Sequence, residues 1–138
     1  MSQQQLLRAV LSTVIVGLAT VAGIQAFSEN QAQASQDALV QKGVSIATDI
    51  QAVASKPSQL GGIDTTSAGS GDIANAIGLS GAIVDADGAG SNGRCEITVD
   101  GNTPLVSCAS ADANQDIQVT VQPNDITTST SSSYSVGS

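Results

Sequence analysis

The sequence predicts an α+β fold: a long N-terminal α-helix, apolar in its first half, packed on a small antiparallel β-sheet with one disulfide. Three observations carry that expectation. A helix-period pattern runs without a break from the N-terminus to Pro57. The stretch "CEITVDGNTPLVSC" folds back on itself with its two cysteines opposed, and "DIQVTVQP" alternates apolar and polar residues.

The helix is expected over residues 1–56. Leu6 to Phe27 is apolar enough to span a bilayer, and beyond it Ala32, Leu39, Gly43, Ile46, Ile50 and Val53 continue one helical stripe while Gln33, Asp37, Gln41 and Asp49 lie elsewhere. Pro57 supplies the stop, because the residue before a proline is pushed out of the helical region. Such a helix is a rod about 80 Å long, while hydrocarbon needs only about 30 Å. A division into a helix over 1–56 (anchor 1–27, amphipathic half 28–56) and a globular part over 57–138 follows.

The segment "SQLGGIDTTSAGSGDIANAIGLSGAIVDADGAGSNG" is rich in Gly and Ser and reads mainly as loop. Within it Ser70 or Asp72 is placed to cap a short turn through Ile73 to Ile77, and "GAIVD" suits a short strand.

From Arg94 onward the chain reads as β. Gly101-Asn102 suits a two-residue type II′ hairpin turn, and a loop at those positions sets Cys95 opposite Cys108 in a non-hydrogen-bonded pair. Such pairs bring the Cα atoms within disulfide reach, so a Cys95–Cys108 bond and an oxidising compartment are expected. The same register faces Ile97, Val99, Pro104 and Val106 one way and Glu96, Thr98, Asp100, Thr103 and Ser107 the other, with Leu105 breaking the pattern. Ile117, Val119 and Val121 give a third strand one buried face. The tail "DITTSTSSSYSVGS" fits a final edge strand or an uncovered, O-glycosylated surface.

Composition narrows function. Twelve acids against four bases leave a net charge of −8, which argues against nucleic-acid binding. The chain has no His, so Ser-His-Asp and Cys-His chemistry is ruled out, and no phosphate-loop or zinc-protease motif occurs. Neither an enzyme nor a cofactor is expected. One weak metal candidate stands out: "DADGAGSNGRCE" spaces Asp85, Asp87 and Glu96 as in a calcium loop, but Ala89 fills a ligand position and a strand follows instead of a helix. An acidic turn is the favoured reading there.

The helix, the glycine-rich loop and the stapled sheet together resemble a type IV pilin. "QQQLLRAVLSTVIVGLATVAGIQAF" is similar to the N-terminal segments of pilin-like proteins, whereas the globular part is similar in architecture only. The resemblance implies a structural homo-oligomer held in the inner membrane by its apolar half-helix. Assembly machinery there would extract it into an extracellular helical filament. It also implies an assembly role for Met1, Gln5, Arg8, Gly17 and Gly23, the two glycines lying where some assembled pili lose helicity or where helices touch. Gln5 and Met1 depart from the Glu and methylated Phe usual at those places in the family. Arg8 is expected to snorkel to headgroups before assembly. Afterwards it would meet a polar partner on another subunit, with Glu29 or Asp37, backbone carbonyls or water as the choices. A minor pseudopilin of a secretion system and a single-span anchored surface-binding domain are the alternatives. A cleaved signal peptide is disfavoured because the helical pattern continues past Phe27.

Overall fold

The helix predicted from the stripe is present as α1, Gln3–Ala54, in a computed structural model that describes residues 2–134 and 136. It ends two residues before the expected stop. The amides of Ser55 and Lys56 still bond back to the carbonyls of Gln51 and Val53, and Pro57 then opens a single 3-10 turn, Ser58–Leu60. The chain divides into two compact units, residues 1–31 and 32–138.

In the second unit, α1 buries Ser35, Leu39, Gly43, Ile46, Ala47, Ile50 and Val53. Ser35 and Ala47 join the expected stripe, small like its Ala32 and Gly43, because small residues belong on a face that lies close to a sheet. Ala32 is half-buried at its start.

The sheet has five antiparallel strands in sequence order: β1 Ile83–Asp85, β2 Arg94–Asp100, β3 Thr103–Ala109, β4 Asp116–Gln122 and β5 Asp125–Ser131. The hairpin register is as the sequence predicts, pairing Val99 with Pro104, Ile97 with Val106 and Cys95 with Cys108. Gly101 has φ +62° and Asn102 is not in the left-handed region, which is the type II′ pattern. The Cys95–Cys108 disulfide is formed across Cα atoms 4.0 Å apart.

The core lies between α1 and the inner sheet face. Leu39, Ile46 and Ile50 meet Cys95, Ile97, Val106, Cys108, Ile117 and Val119, all 3% exposed or less. Full burial of such a side chain contributes on the order of 1.5–3 kcal/mol. Gly43 sits where a Cβ would lie 3.2 Å from both Cys108 Sγ and Val119 Cγ2. Glycine is therefore what lets helix and disulfide approach.

The glycine-rich segment contributes α2, Ser70–Ala76, whose Ile73 and Ala74 join the core. Its N-cap is Gly69, not Ser70 or Asp72. Asp72, three residues on, accepts the Gly69 N–H at 3.3 Å. A carboxylate in the first turn also complements the helix dipole. "GAIVD" supplies β1, with Val84 opposite Cys95.

The tail contributes β5 as an edge strand whose inner-face Thr128 and Thr130 stay exposed. On the outer face Ser107 is buried, contrary to a simple polar-out pattern. Gln118 Nε2 donates to its hydroxyl at 3.2 Å. Tyr134 reaches the same face, its N–H bonding Asp116 at 3.1 Å and its hydroxyl lying 3.1 Å from Ser129 Oγ.

Candidate functional site

The features that set this chain apart from a small globular domain lie in the first half of α1. Every large apolar side chain from Leu6 to Phe27 is exposed, from 53% at Val14 to 73% at Phe27. Among the described residues, this is the one helix long and apolar enough to cross a membrane.

Its few hydroxyls are satisfied within the helix. Ser12 Oγ donates to the Arg8 carbonyl at 2.7 Å, Thr13 Oγ1 to that of Val10 at 2.8 Å and Thr20 Oγ1 to that of Val16 at 2.6 Å. A hydroxyl bonded in this way enters an apolar medium without losing its partner, which removes most of the cost of burial.

Of the residues singled out from the sequence, Met1 lies outside the described residues. Gln5 is exposed, its N–H bonded to the Ser2 carbonyl at 3.1 Å. Arg8 is exposed and shares one helical face with Ser12, Ala19, Gly23 and Ala26, at spacings of three, four and seven residues. Glu29, the first acid in the chain, is exposed as well. The helix is continuous through Gly17 and Gly23, and an added Cβ at either would meet nothing within 4 Å. Nothing in the chain's own packing calls for glycine there, although each costs about 1 kcal/mol relative to Ala in a helix interior.

Asp85 faces Arg94 across β1 and β2, Glu96 faces Ile83, and Asp87 lies in the exposed turn that follows β1. Among the described residues, no group of three or more acidic, Cys or His side chains is placed to hold a metal ion. The loop between β1 and β2 is instead tied down from the β3–β4 connection. Asp112 accepts the Ser91 N–H at 2.6 Å, and Ser110 Oγ donates to the carbonyls of Ala89 and Ser91. Neither Ser110 nor Asp112 stood out in the sequence, since a bond between two loops leaves no periodicity.

A cleft of about 500 Å³ opens where the end of α1 meets the tips of the β2–β3 and β4–β5 hairpins, walled by Gln51, Ile63, Asp64, Asn102, Pro104 and Val121. On its rim the Thr66 hydroxyl, and after it the Thr66 N–H, hold the Asp64 carboxyl below the usual carboxylate range.

The architecture, an apolar N-terminal helix continuing onto a disulfide-stapled antiparallel sheet, is compatible with a pilin-like fold. The chain matches no protein-family model, no curated protein and no solved structure.

Proposed function

We propose that this protein is the structural subunit of an extracellular, type IV pilus-like helical filament. It is stored in the inner membrane, handed on by assembly machinery there, and polymerised through the first half of α1. The observation that carries the reading is the exposure of every large apolar side chain from Leu6 to Phe27 on a helix whose later turns are buried against the sheet. An apolar surface of that size needs cover, and a bilayer or other copies of the same helix are the two covers that fit a rod of this length.

The residues suit both covers in succession. The self-bonded hydroxyls of Ser12, Thr13 and Thr20 tolerate lipid, and Ala9, Gly17, Ala19, Ala22 and Gly23 permit close approach of a second helix. The disulfide suits a domain that faces the outside, and beyond Asp125 the β5 edge is rich in Ser and Thr and carries no charge. Shearing cells that express the protein and imaging the released material by negative stain tests the reading. Long filaments made of this chain are expected; a protein recovered only as a detergent-soluble monomer would refute it.

A further inference from the structure

Arg8 is the sole charged residue ahead of Glu29, and none of its helix neighbours one turn away, Gln4, Gln5, Leu11 or Ser12, is an acid. Glu29 in turn has Gln25, Ala26, Ala32 and Gln33 around it and no base. Both side chains are exposed on one unbroken helix, so neither can reach the other in the same chain. At about 1.5 Å per residue they stand about 31 Å apart along the axis. The hydrocarbon layer is about 30 Å thick.

That coincidence has a mechanical reading. With Leu6 to Phe27 in the bilayer, Arg8 reaches one headgroup layer and Glu29 the other, so each charge stays hydrated. A copy raised by about one bilayer thickness beside a neighbour still in place brings its Arg8 level with that neighbour's Glu29. Arg8 lies on the face that runs through Ser12, Ile15, Ala19, Gly23 and Ala26, where beyond Ile15 the small side chains let a second helix come close. In a water-poor helix bundle an unpaired guanidinium is costly, and pairing with a carboxylate removes most of that cost.

We propose, resting on the filament reading, that Arg8 of each copy forms an ion pair with Glu29 of the copy staggered by about 31 Å, and that this contact sets the axial register of docking. Each copy offers one base and one acid at different heights, so the interface is head-to-tail and open-ended, as a helical polymer requires.

Arg8→Lys keeps the charge and provides an amine that a zero-length carbodiimide joins to a touching carboxylate. Mass spectrometry of treated filaments carrying Arg8→Lys should find position 8 joined to Glu29 of another chain. An intrachain link is out of reach at that spacing. Separately, Glu29→Gln should lower filament yield at least about tenfold while Asp37→Asn leaves it unchanged, with the Cys95–Cys108 disulfide intact in both. Filaments that form without the link, that link position 8 to Asp37, or that withstand Glu29→Gln would overturn the pairing and leave the filament reading standing. Absence of filaments from the wild-type chain would end both.

Discussion

Replacing Gly43 with alanine sets two opposing effects against each other at the closest approach of helix and sheet. Gly→Ala in a helix interior gains about 1 kcal/mol from backbone entropy. The new Cβ, however, would lie 3.2 Å from both Cys108 Sγ and Val119 Cγ2, so its neighbours must yield by a few tenths of an ångström. Cys108 Sγ is fixed by its bond to Cys95, and Val119 is fully buried with a stiff β-branched side chain. Overpacking of this kind costs about 1–3 kcal/mol, so Gly43→Ala is expected to be neutral to about 2 kcal/mol destabilising. Gly43→Val adds two more methyls to the same gap and should lose more. Ala52→Gly, at an exposed position of the same helix, calibrates the entropic effect at about 1 kcal/mol. Hydrogen exchange of the Val106 and Val119 amides in the full-length, detergent-solubilised chain reads the change in stability. A Gly43→Ala variant stabilised by the full helix-propensity gain would refute the close packing argued here.

Two further predictions concern the globular unit. Replacing both cysteines by alanine opens a link between residues 13 apart in sequence, and should cost about 3 kcal/mol by loop entropy; unchanged urea unfolding of the doubly substituted chain would contradict it. The Asp64 carboxyl should titrate below the ordinary carboxylate range by carbon-detected NMR. Thr66→Val should move its midpoint upward, because the Thr66 hydroxyl is the main cause. A depressed acid contributes stability above its unfolded-state value and loses it as pH falls through the folded one, so Thr66→Val should also flatten acid unfolding slightly. A midpoint that does not move would assign the shift elsewhere.

The parts of the fold that follow a period were legible. The α1 stripe repeats with the helix, and Pro57 ends it for a local steric reason. The β2–β3 register follows from a two-residue turn, and the opposed cysteines check it independently. What escaped notice is long-range and polar. Ser107 sits on the solvent side by parity, yet it is buried, with the Gln118 side chain bonded to its hydroxyl. The loop after β1 resembled a cation loop in spacing, whereas its shape comes from Ser110 and Asp112 on another connection. The α2 cap moved to Gly69 because Asp72 can satisfy its amide from inside the helix. The exposed apolar stretch from Leu6 to Phe27 was readable from the sequence alone, because a long apolar run is a one-dimensional signal.

Helical reconstruction by cryo-electron microscopy of filaments sheared from cells is the most direct test of the central claim. Residues 6–27 are expected to form a helical bundle at the filament axis, with the five-stranded sheet outside and the subunit mass retaining the whole segment. Filaments lacking that segment, or bound together by the sheet domains with residues 6–27 away from the axis, would contradict it.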